Sequence, residues 1–138
     1  MKHILDADNF SIIFELEIFE NDLEYPINTT LHVTVQSCGF SGNASMDIGI
    51  KEFAKFCCNL STLYDSLKGN AKIQEPYGYK QYIEFSADKL GHILVNGIIR
   101  GDSEFMHELK FENVIDQTIL YRFQKELIET YAKYINHK

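Results

Sequence analysis

The side chains able to do chemistry in this chain are five histidines, three cysteines and twenty acids. His3, His32, His92, His107 and His137 are scattered, and none stands at HxH or HExxH spacing with a second ligand. Such spacings matter because they place two metal ligands on one side of a strand or helix. His32 and His92 fall on the polar faces of alternating segments. His107 falls among inward positions, where a lone imidazole serves as a hydrogen-bonded core residue. Cys57 and Cys58 are adjacent, and neighbours on a helix diverge too far for a disulfide or a zinc site. With Cys38 they read as small buried hydrophobes in a reducing compartment. No histidine lies nearby in sequence to activate a thiolate. Neither GxGxxG nor GxxxxGK[ST] occurs, so Gly97 and Gly101 form no phosphate-cradling loop. Gly39 and Gly42 have turn or bulge roles in an alternating strand context. These residues predict no catalytic site, no metal site and no cofactor.

Two groups of residues suit binding instead. Glu15, Glu17, Glu20, Asp22 and Glu24 gather on one strand and the turn after it. They read either as an acidic docking edge for a basic partner or as a solvated face whose charges deter edge pairing. Tyr77, Tyr79 and Tyr82 surround Gly78 and fit no core stripe. Tyrosine combines an apolar ring, a polar tip and few rotors, which suits contact surfaces. The other reading of this hairpin is a turn packed on the domain. The net charge of −7 disfavours nucleic acid and anionic membranes, whose phosphates require clustered Lys and Arg. It speeds encounter with a basic protein, and it also serves plain solubility.

The elements that must position these groups follow from periodicity. Phe10, Ile12, Phe14, Leu16 and Ile18 alternate with Ser11, Glu15 and Glu17, which predicts a half-buried strand. After a polar turn ending at Tyr25-Pro26, alternation returns at Leu31, Val33 and Val35. A third run places Phe40, Gly42, Ala44, Met46 and Ile48 on one face. The period then changes: Ile50, Phe53, Cys57, Leu60, Tyr64 and Leu67 make a helical stripe. Asp47 either caps this helix or ends the strand, and Gly69 supplies a left-handed C-cap. Strands resume at Ala71–Glu75, which stops at Pro76, and at Ile83 and Phe85. Ile93–Arg100 is apolar on both faces, as a central strand would be, and Gly97 marks a bulge or a close packing contact. Gly101-Asp102-Ser103 turns the chain, and Phe105, Leu109 and Phe111 share a face. Asp116 caps a last helix reaching about Asn136, with Ile115 and Leu120 as a hydrophobic staple. Its stripe is Leu120, Phe123, Leu127, Tyr131 and Tyr134, and Lys133, His137 and Lys138 suit the negative end of its dipole.

Strands in runs, broken by two helices, predict an α+β class with antiparallel pairing. No repeat, low-complexity tract or linker divides the chain, so residues 1–138 read as one domain. Two helices can cover one sheet or flank a strongly curved one. The expectation is a strongly curved antiparallel sheet of about seven strands with two amphipathic helices, the second C-terminal. No apolar run reaches the ~20 residues of a membrane span. Met1–Asp8 turns acidic before an apolar leader develops, so a secretory leader is absent or has been removed, and the reading is a cytoplasmic protein. The sequons at Asn28, Asn43 and Asn59 then carry no information.

The second half has a further likeness. It runs Gly91-His92-Ile93-Leu94-Val95-Asn96-Gly97, then Leu109-Lys110-Phe111-Glu112, then Asp116-Gln117-Thr118-Ile119-Leu120, Phe123 and Leu127. With the helix carrying Phe53 and Leu60 and ending Leu67-Lys68-Gly69, this series resembles the WapI-like family of small bacterial immunity proteins. The similarity covers roughly residues 40 to 135, and Asp116-Gln117-Thr118 is its most specific part. The resemblance implies a cytoplasmic antidote that binds and blocks a cognate toxin domain, often a basic nuclease, without catalysis. The alternative is a β-rich module for a small molecule or carbohydrate, using Tyr77, Tyr79 and Tyr82. An enzyme would require a cleft joining His32, His92 or His107 to an acid or a thiol.

Overall fold

Alternating apolar residues need a partner layer on one side only, and the chain meets that need twice. The computed structural model describes residues 1–77, 81–101 and 107–135. Four strands, β1 (Lys2–Ala7), β2 (Phe10–Ile18), β3 (Thr29–Ser37) and β4 (Phe40–Ile48), form an antiparallel sheet in chain order. Helix α1 (Ile50–Ser66) follows. Strands β5 (Asn70–Gln74), β6 (Tyr82–Ala87), β7 (Ile93–Arg100) and β8 (Glu108–Ile115) then form a second sheet, again in chain order. Helix α2 (Gln117–Tyr131) closes the chain with a short 3-10 turn at Ala132–Tyr134. The α+β class and the C-terminal second helix are as expected. The single strongly curved sheet of about seven strands is corrected to two sheets of four.

Alternation shows which side chains point inward but not which strands are neighbours, so it could not separate the sheets. The reading also missed β1, whose short span buries only His3 and Leu5. The same order of four strands and a helix occurs twice, a repetition of topology that leaves no repeat in the sequence.

Side chains close the seam between the sheets. Strand β4 packs against β7 and β8. A Cβ at Gly42 would already touch Ile99 and Leu109. Gln81 donates to the Ser45 carbonyl at 3.0 Å and accepts from the Arg100 amide at 2.9 Å. Asn113 donates to the Ser37 hydroxyl at 2.9 Å. Gly97 is the close packing contact: a Cβ there would lie 2.8 Å from the Phe111 ring and 2.5 Å from the Tyr82 carbonyl oxygen.

The helices seal both sheets into one core. Helix α1 packs against β5 and α2 against β1, and the two helices pack on each other. Phe14 of β2 meets Phe53, Phe56 and Phe123 with ring centroids 6.0, 6.2 and 5.5 Å away. Phe85 of β6 meets Phe56 and Phe123 at 6.0 and 6.2 Å. Because α1 is enclosed on several sides, Ala54, Phe56 and Leu63 are buried beyond its predicted stripe.

Local expectations divide. Ile115 and Leu120 are both buried, and Asp116 occupies the N-cap position of α2 without a side-chain capping bond. Asp47 lies inside β4, and Gly49 caps α1. Leu67 takes the left-handed C-cap (φ 55°), with Gly69 at φ 88° beyond it. Phe40, placed inward by alternation, is 69% exposed because it sits at the start of β4 beside the Cys38-Gly39 turn. Cys38 is exposed, contrary to its reading as a buried hydrophobe, because positive φ at both Cys38 and Gly39 marks a tight hairpin tip. Cys57 is buried and Cys58 half-buried. Phe105, the Asp102-Ser103 turn, Asn136, His137 and Lys138 lie outside the described residues.

Candidate functional site

An open cleft of about 770 Å³ lies where the two sheets and α1 meet. One wall is the β2–β3 connection, carrying Tyr25 and Pro26. The other is β5 and the chain after it, carrying Pro76 and Tyr77. Tyr25 is 57% exposed and Tyr77 73% exposed. Each stands beside a proline, whose fixed φ stiffens the backbone that presents it.

Buried polar groups pin the first wall. Asn28 is buried, and its amide donates to the Tyr25 carbonyl at 3.0 Å. Its oxygen accepts from the Thr29 hydroxyl at 3.0 Å and from the Ile50 amide at 2.9 Å. Ile50 is the first residue of α1, so Asn28 satisfies a helix donor that Gly49, lacking a side chain, leaves open. Gly49 also lets the Pro26 carbonyl approach, because a Cβ there would collide with that oxygen. On the other wall the Glu75 amide donates to the Gln81 carbonyl at 3.0 Å. The Glu75 carboxylate accepts from the Asp47 amide at 3.4 Å.

The predicted binding residues do not form one patch. Glu24 and Tyr77 share the cleft. Glu15 and Glu17 are exposed on the outer face of the first sheet, with Glu17 3.7 Å from His32. Glu20 accepts a 2.8 Å hydrogen bond from the Tyr134 hydroxyl, and burial followed by that contact pushes the phenol up to about 12. Asp22 is exposed at the end of a short 3-10 turn (Glu20–Asp22). Tyr82 lies half-buried on the outer face of the second sheet, its hydroxyl donating to Asn96 at 3.1 Å and Lys72 over its ring. Tyr79 lies outside the described residues. Sequence reasoning missed Tyr25, Pro26 and Pro76 as rim residues and Asn28 as the pin. The mirrored Tyr-Pro and Pro-Tyr dipeptides were the available signal.

The histidines named for an enzyme lie apart from the cleft lining. His32 bonds Ser45 at 2.9 Å, and His92 faces Asp88 at 3.5 Å in the turn before β7. His107, read as inward, is exposed at the foot of β8, where its carbonyl accepts from the Gly101 amide. A different histidine is buried. His3 Nε2 lies 2.8 Å from the Tyr131 hydroxyl and its ring packs edge-on to that ring, while Nδ1 has no hydrogen-bond partner and lies 4.0 Å from the Glu126 carboxylate. Burial holds this imidazole below the usual histidine range, against the pull of Glu126 and with a smaller push from the N-terminus. Burial likewise pushes the Cys57 thiol up, and the Tyr131 phenol up to about 12. The neutral His3 and Tyr131 fasten β1 to α2.

A testable consequence follows for pH. The folded His3 resists protonation, whereas the unfolded chain protonates near the usual 6.5. His3 therefore costs nothing well above that value and destabilises the fold increasingly as pH falls below it. His3→Gln is expected to flatten the decline of Tm between roughly pH 7 and 5. An unchanged slope in thermal melts would exclude the titration.

Among the described residues, no group of three His, Cys, Asp or Glu is placed to hold a metal, and no helix is long and apolar enough to cross a membrane. No protein-family model and no curated protein matches the chain.

Proposed function

We propose that this protein is a non-catalytic protein-binding module of the immunity type, which neutralises a toxin domain in the cytoplasm by covering its working surface. The observation that carries the reading is the pair of exposed tyrosines, Tyr25 and Tyr77, held on opposite walls of one cleft by prolines and by the buried Asn28. Rigid, exposed aromatic side chains lose little entropy on contact and supply the anchors of protein interfaces. The net charge of −7 favours a basic partner, and the resemblance of the second half supplies the toxin class.

Co-expression with a candidate toxin domain from the product of the gene immediately upstream is the test. Growth should be rescued, and a stable complex should form. The double variant Tyr25→Ala/Tyr77→Ala should weaken the complex by about thirtyfold or more, the scale of an interface anchor, with no change in Tm. Rescue without a complex, or a complex indifferent to both tyrosines, would refute it.

The second reading is a small-molecule or carbohydrate site in the same cleft. It draws on the volume of about 770 Å³, within the roughly 300–1,000 Å³ of such sites. A glycan or metabolite that raises Tm through Tyr25 and Tyr77, with no toxin complex, would favour it.

A further inference from the structure

One wall of the cleft is lined by a strand at the end of its sheet. β5 is an end strand of its sheet and pairs only with β6. Hydrogen bonds from Glu75 N to Gln81 O and from Ala87 N to Gly69 O fix which residues of β5 face that partner. They are the odd-numbered ones, Ala71, Ile73 and Glu75. In an antiparallel ladder the alternate residues turn their N–H and C=O groups to the opposite side. Asn70, Lys72 and Gln74 therefore direct theirs to the free edge, and no backbone partner meets them among the described residues. Lys72 and Gln74 line the cleft, with Tyr77 beyond them and Tyr25 across from them.

Resting on the protein-binding reading above, we infer that the cleft receives an extended segment of the partner protein as a fifth strand added to the edge of β5. The outward row from Asn70 to Gln74 spans about 13 Å at ~3.3 Å per residue, which matches a segment of about five residues. Main-chain bonds to Lys72 and Gln74 would supply register, and apolar side chains of the segment would lie against Tyr25 and Tyr77, the division of labour usual in strand addition. Pro76, with no N–H to offer, ends the row. A single strand fits better than the edge of a second copy, because the Tyr25-Pro26 wall and the start of α1 stand across from β5 and leave no flank for a whole sheet.

The test uses a 12-residue peptide selected against the full chain from a random displayed library. Amide exchange in the free protein should show Lys72 and Gln74 exchanging fast and Ile73 and Glu75 protected. Bound peptide should protect Lys72 and Gln74 by about tenfold or more. N-methylation of alternate peptide residues should weaken binding by about tenfold or more, while methylation of the intervening residues should not. Binding that perturbs Tyr25 and Tyr77 but leaves both amides fast would overturn strand addition and leave the binding reading standing. Protection that appears without peptide and grows with protein concentration would assign the edge to a second copy, also overturning it. Failure to enrich any peptide would count against the inference, while the co-expression test judges the wider reading separately.

Discussion

Phe14→Ala is expected to remove about 3–5 kcal/mol of folding stability, the range found for large buried aromatic side chains. The ring is fully buried and touches Phe53, Phe56 and Phe123. It thus joins the first sheet to both helices, and through Phe56 and Phe123 to Phe85 of the second sheet. Truncation loses transfer energy and leaves a cavity walled by side chains of both helices, so neither helix alone can move in to fill it. The loss is a large share of the roughly 5–15 kcal/mol that holds a domain together. Urea denaturation should show a lower midpoint with an unchanged slope. Phe40→Ala is the control: the ring is 69% exposed, and its removal should change stability by no more than about 0.5 kcal/mol. Equal effects at the two sites would contradict the described core.

Asn28→Ala is expected to cost about 2–4 kcal/mol and to loosen the Tyr25 wall of the cleft. The substitution strips partners from the Ile50 amide, the Thr29 hydroxyl and the Tyr25 carbonyl at once. A buried group left without its partner costs about 1–3 kcal/mol. Asn28→Asp separates the roles. It keeps an acceptor for Ile50 and places negative charge at the positive end of α1, but it cannot donate to Tyr25. Its stability should fall between wild type and Asn28→Ala, while exchange at the Tyr25 loop should rise in both variants. Urea melts and amide exchange give the two readouts. A fully stable Asn28→Ala would show that water replaces the side chain and that the wall is not pinned there.

The outcome at particular residues shows what a linear reading can reach. The alternation of Phe10, Ile12 and Phe14 and the helical spacing of Phe53, Cys57 and Leu60 place all six in the core, where the structure has them. Periodicity reports the environment of one element, and for these six residues that environment was correctly given. It failed where an element is short, as in β1, or where a turn overrides the pattern, as at Phe40 and Cys38. Glu24 and Tyr77 were legible as polar and aromatic groups without a core role. Their shared cleft was not, because they come together only through the packing of α1 against both walls.

By itself the sequence determined the α+β class, the inward faces of most strands, both helices and the spread of histidines and cysteines without ligand spacing. Those features depend on side-chain type at local separations, where the periods of strand and helix act directly. Tertiary structure alone decided that the strands divide into two sheets, that His3 is the buried imidazole, that Asn28 closes the N-terminus of α1 and that the edge of β5 opens into a cleft. Each of these depends on contacts between residues far apart in the chain, and local periodicity carries no record of such contacts.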